Sequence, residues 1–69
     1  MKFIVKCGQY FLTERQTLSV EYPDAEVHRK YHGALKHARK FRIKTRETRP
    51  VRVYRNYGFA SEQSWEVNA

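Results

Sequence analysis

One segment of this 69-residue chain carries a helical period, and the segments on either side of it alternate. Tyr31, Ala34, Leu35, Ala38 and Phe41 fall at i, i+3, i+4, i+7 and i+10, which aligns them as one apolar stripe. The spacing predicts a helix over about residues 30–42. A helix with a single apolar stripe must bury it against another surface, and period-2 segments supply one. In Lys2-Phe3-Ile4-Val5-Lys6-Cys7, the residues Phe3, Val5 and Cys7 point one way and Lys2, Ile4 and Lys6 the other. Gly8-Gln9 reads as a turn. Tyr10-Phe11-Leu12-Thr13 follows as a second strand, so the two form a hairpin. Thr17–Tyr22 alternates again and either extends the hairpin or begins a third strand. Pro23-Asp24 ends that run, and Ala25–His28 reads as a short extended piece with Ala25 and Val27 inward.

Pro50 excludes helix and opens another strand, with Val51 and Val53 inward and Arg52 and Tyr54 on the opposite face. A turn over 55–60 and a last strand through Trp65 and Val67 complete the pattern, with Trp65 a core or lid residue. The expected fold is therefore α+β. It is an antiparallel sheet of four or five strands with one helix packed on one face, in the order β-β-(β)-α-β-(β), as a single small domain over 1–69. A chain of this size buries only about 60% of its unfolded surface. Gly33 inside the helix costs roughly 1 kcal/mol relative to alanine, so the helix depends on docking to the sheet. Cys7 is the sole cysteine, which excludes an intrachain disulfide and fits a reducing compartment. Met1–Lys6 holds no apolar run of signal-peptide or membrane-span length. The expectation is a cytoplasmic location with no membrane partner.

Charge is distributed unevenly. Eleven of the fourteen basic residues lie between Arg29 and Arg55, where Glu47 is the only acid; the rest of the chain holds three basic residues against six acids. Concentrated positive charge attracts polyanions, of which phosphate backbones are the commonest in a cell. Lys36, Arg39 and Lys40 lie off the apolar stripe, and cations near the helix end also complement its dipole. Arg42, Lys44, Arg46 and Arg49 read as a basic loop after the helix, and arginine suits bidentate contacts to phosphate or carboxylate. If the Pro50 strand lies beside the first, Lys2, Lys6, Arg52 and Tyr54 share the sheet face opposite the helix. That face reads either as a solvated one or as a surface where bases stack on the ring while phosphates meet the cations. Glu62 and Glu66 are placed to pair with arginines.

Other chemistry is less well supported. His28-x3-His32 has ligand spacing only if both lie on one helix, and His28 precedes the predicted start; His37 lies off that line and Cys7 is remote in sequence. No metal and no cofactor are expected. No serine, cysteine or lysine stands in a nucleophile motif, the three glycines are scattered, and the acids form no spaced pair, so an enzyme is not expected. Arg55-Asn56-Tyr57-Gly58-Phe59-Ala60 and Phe3-Ile4-Val5 are partly similar to the two RNA-stacking strands of the RRM family. No helix follows the first strand, as that family requires.

Over residues 2–41, a wider pattern comes from Phe3-Ile4-Val5-Lys6, Tyr10-Phe11-Leu12-Thr13, Ala25-Glu26-Val27-His28 and Ala34-Leu35-Lys36-His37-Ala38. It resembles the layout of small bacteriophage and prophage accessory proteins, some of which are anti-CRISPR or host-takeover factors. The resemblance implies a non-enzymatic binding protein acting in a host cytoplasm. With this charge, it would engage nucleic acid or a host nucleoprotein complex through Lys36, Arg39, Lys40, Arg42, Lys44, Arg46, Arg49, Arg52 and Tyr54. The alternative is a protein-protein inhibitor of a host factor that sets the same cations against carboxylates without touching nucleic acid.

Overall fold

Two alanines and a phenylalanine of the helix, Ala34, Ala38 and Phe41, are buried against the sheet, and the rest of the chain is arranged around that contact. The computed structural model describes residues 2–55, 57 and 63–67. The strands are β1 (Phe3–Cys7), β2 (Tyr10–Leu12), β3 (Leu18–Ser19), β4 (Val51–Arg55) and β5 (Gln63–Glu66); α1 spans Tyr31–Thr45. They form one antiparallel sheet in the order β3-β2-β1-β4-β5, with α1 packed on one face, which is the expected α+β layout.

The β1–β2 hairpin closes through Gly8-Gln9, with Gly8 at φ 59, a conformation that glycine adopts without steric penalty. β1 pairs along its full length with β4, from Phe3↔Arg55 to Cys7↔Val51. The period-2 reading then places every side chain. Phe3, Val5, Cys7, Leu12, Val51 and Val53 join Ala34, Ala38, Phe41 and Val67 in the main core. Trp65 closes one end of this core, with its ring centroid 5.1 Å from Tyr31 and 6.4 Å from Phe3. Burial pushes the Cys7 thiol above its ordinary range, and the cysteine is free. Among the described residues no helix is long and apolar enough to cross a membrane.

Three sequence expectations are corrected. First, the helix runs on to Thr45, so Arg42 and Lys44 are helical rather than part of a loop. Nothing in Ile43-Lys44-Thr45 breaks a helix, and Thr45 Oγ1 donates to the Phe41 carbonyl at 2.8 Å. The stop comes at Arg46, which adopts the left-handed conformation (φ 52) and returns its N–H to the Arg42 carbonyl.

Second, residues 25–28 do not turn both Ala25 and Val27 inward. Ala25 is buried, but Val27 is 49% exposed. This segment fills the fork where β1 outruns β2: Glu26 N–H donates to the Leu12 carbonyl, and His28 exchanges both backbone bonds with Phe3. Third, the sheet face away from α1 is not simply solvated. A single 3₁₀ turn at Tyr22–Asp24 brings Tyr22 and Ala25 over it, and Ile4, Phe11 and Ala25 are buried there beside Tyr54 and Tyr57. The sheet thus has an apolar cluster on each side. Residues 56 and 58–60 of the expected turn and RRM-like stretch, and Glu62, expected to pair with an arginine, lie outside the described residues.

Phe41 is 3% exposed at the centre of the main core. Phe41→Ala is expected to cost about 3–5 kcal/mol. At about 4–8 °C per kcal/mol for a domain of this size, a thermal melt followed by circular dichroism should show the midpoint falling by ~12 °C or more.

Candidate nucleic-acid interface

Burying Ala34, Ala38 and Phe41 forces the opposite side of α1 outward, and that side is cationic. Lys36, Arg39, Lys40 and Lys44 are exposed, and the helix holds no acidic residue. Lys36, Lys40 and Lys44 follow at i, i+4 and i+8, so they form a row with steps of about 6 Å over about 12 Å of helix. Arg39 lies beside the row, and Arg46 is exposed just past the helix end. Among the described residues, no ion pair or hydrogen bond engages Lys36, Arg39, Lys40 or Lys44. Ile43 is 70% exposed in the midst of these cations.

The other expected site residues are held elsewhere. Arg42 is half-buried and its guanidinium donates to the Val67 carbonyl, tying α1 to the residue after β5. Arg49 is locked to Glu47. Its Nε donates to Oε1 at 2.7 Å, its Nη2 to Oε2 at 2.9 Å and its backbone N–H to Oε1 at 3.1 Å, while its guanidinium lies 5.3 Å from the Tyr10 ring centroid. These Arg49 hydrogen bonds hold the Glu47 carboxyl down to about 2.

Arg52 and Tyr54 lie across the sheet from the helix row. Cross-strand register sets Lys6 opposite Arg52 and Ile4 opposite Tyr54, so Lys6, Arg52 and Tyr54 share a face as expected. Arg52 donates to Ser64 Oγ from Nε at 3.2 Å and from Nη2 at 2.9 Å, and its Nη1 lies 3.8 Å from Glu66. Tyr54 packs edge-on to Tyr57 with centroids 5.3 Å apart. The Lys6 ammonium sits 5.0 Å from the Phe11 centroid and 5.1 Å from the Tyr57 centroid, and it donates to Tyr57 Oη at 3.3 Å. The rings therefore engage one another and one lysine. Phe11 meets Tyr22 and Tyr57 edge-on, as Tyr54 does Tyr57, whereas Tyr22 and Tyr57 are tilted by 33°. The alternation of β1 and β4 made Lys6 legible on this face, but the part played by Phe11, Tyr22 and Tyr57 depends on the 3₁₀ turn and was not legible.

A second group of polar side chains meets under the first turns of α1. Glu26 and His28, two apart on extended backbone, share a side, and His37 comes down from the helix to join them. His32, the partner considered from spacing, is exposed, and its ring centroid lies 6.0 Å from that of Tyr31. Comparison with known protein families, characterised proteins and solved structures returns no match to this chain.

The Glu47–Arg49 pair gives a pH-dependent signature. A carboxyl held below its unfolded value of 4.5 contributes stability that is complete above that value and lost as pH falls toward about 2. A carbon-13 titration of the Glu47 carboxyl should place its midpoint near the lower value, and Arg49→Gln should return it toward the upper one.

Proposed function

We propose that the protein is a non-enzymatic, sequence-tolerant binder of nucleic-acid backbone, with the outer face of α1 as the contact surface. One observation carries this reading: Lys36, Arg39, Lys40 and Lys44 stand exposed on a helix face that holds no acid. A row of free cations gains from neutralising successive phosphates and releasing their counterions. The face presents no asparagine or glutamine to pair with adenine and no acid to pair with cytosine, so in this reading its cations position the protein on phosphates rather than read sequence. Arg46 extends the surface. Arg42, Arg49, Arg52 and Tyr54 serve the fold in this reading. The small sheet-plus-helix layout, similar to that of phage accessory proteins, supports a host nucleoprotein complex in the cytoplasm as the setting.

A second reading is favoured by Ile43. An isoleucine 70% exposed among cations gains nothing against phosphate but suits a protein partner that combines carboxylates with an apolar pocket. In that reading the protein inhibits a host factor and has no affinity for free nucleic acid.

A salt titration of binding to labelled single- and double-stranded DNA and RNA of mixed sequence separates the two. Four phosphate contacts predict a slope of log K against log[salt] of about −3.6 on duplex DNA and about −2.8 on a single strand. Reversing Lys36, Arg39, Lys40 and Lys44 to glutamate should abolish binding, whereas Arg52→Glu should leave it nearly intact. No binding at low salt would reject the first reading. Ile43→Lys is expected to strengthen the nucleic-acid complex, and to weaken capture of a host protein if the second reading holds.

A further inference from the structure

Three lone-pair atoms converge between the 25–28 segment and α1. Glu26 Oε2 lies 3.0 Å from His37 Nε2 and 3.7 Å from His28 Nε2, and all three lie within 4.8 Å of one another. The Thr13 carbonyl oxygen lies 3.0 Å from His37 Nε2, so a proton on that nitrogen is donated to it. Hydrogen bonding satisfies the rest of the group poorly, because the 3.7 Å between Glu26 Oε2 and His28 Nε2 is too long for a hydrogen bond. A metal at His37 Nε2 would take the place of its proton. Glu26 Oε2 and His28 Nε2 are buried atoms with no hydrogen-bond partner among the described residues. Such groups carry a desolvation penalty unless something compensates them.

We propose that Glu26, His28 and His37 form a binding site for a divalent transition metal of the zinc class. The distances fit. Ligand atoms at about 2.0–2.2 Å from a tetrahedral zinc stand roughly 3.3 Å from one another; the 3.0 Å and 3.7 Å separations from Glu26 bracket that figure, and the three ligand atoms lie within 4.8 Å of one another. Two imidazoles and one carboxylate are a donor set that selects such metals over calcium or magnesium.

The backbone accommodates the site. Glycine at position 33 weakens the helix, but a Cβ there would stand 3.4 Å from His28 Nδ1, at the tight edge of ordinary contact. His28 and His37 line a cleft of about 420 Å³ together with Arg15, Lys36 and Lys40. Water or a small anion is the ligand class suited to it. The proposal stands independently of nucleic-acid binding.

The test uses the untagged full chain, stripped with a chelator and titrated with zinc by calorimetry and with cobalt by visible absorption. One equivalent should bind, with the intense d–d bands of a four-coordinate cobalt site, and the melting midpoint should rise with metal concentration. Glu26→Gln and His37→Gln should each weaken binding at least tenfold, and His32→Gln should not change it. Nitrogen-15 spectra of the wild-type histidines should show metal at Nε2 of His28 and His37, a readout that needs no variant to fold. Absence of saturable binding, binding undiminished in both His37→Gln and Glu26→Gln, or a metal-induced shift confined to His32 would overturn the proposal.

Discussion

The close approach of α1 to β1 and β4 sets the terms for the rest of the molecule. Ala34 and Ala38 have no side chain beyond Cβ, so the helix can lie near the sheet while Phe41 fills the space toward Val51 and Val53. In a chain this small, one such contact supplies a large share of the buried apolar area. It also fixes the helix rotation. Once those three positions face in, Lys36, Lys40 and Lys44 must face out and His37 must point sideways toward the 25–28 segment. The cationic row and the histidine cluster are two consequences of one rotational setting.

The two faces of the sheet do different work. The helix side holds the main core. The far side would be an open, partly charged surface, but the 3₁₀ turn folds Tyr22 and Ala25 onto it and makes a smaller aromatic cluster around Lys6. An ammonium among three rings gains cation–π stabilisation while its tip meets Tyr57. This lysine is spent on the fold, as are Arg42, Arg49 and Arg52. A high net charge on a small protein therefore overstates its free charge; Lys36, Arg39, Lys40 and Lys44 are cations that remain exposed on one helix face.

Much of this was legible because period reports burial. The alternation of Phe3, Val5 and Cys7 and of Val51 and Val53, and the stripe from Tyr31 to Phe41, are local patterns that a single stretch of chain displays. The expected strand order and the inward set followed from them. The 3₁₀ turn and the fork between β1 and β2 were not legible, since they arise from how segments meet; the extension to Thr45 escaped because the apolar stripe stops at Phe41 although no helix breaker follows it. The site residues divide in the same way. Exposure of Lys36, Arg39 and Lys40 follows from the helix stripe. The engagement of Arg49 by Glu47 and of Arg52 by Ser64 depends on side-chain partners that alternation does not reveal. The pairing of His37 with His28 rather than His32 needs the helix and the extended segment placed in space, and Glu26 carried no signal until both were in position.

Arg46 shows where the demands on this chain diverge. It ends α1 in the left-handed conformation, where a side chain is disfavoured by roughly 1–2 kcal/mol and glycine is the usual occupant. An arginine there keeps a positive charge at the negative end of the helix dipole, and it accepts local backbone strain to do so. A sequence chosen only to fold would place glycine at this position. Thermal stability and surface charge are thus opposed at a single residue, and selection for a hardier fold would remove a cation from the C-terminal end of the helix.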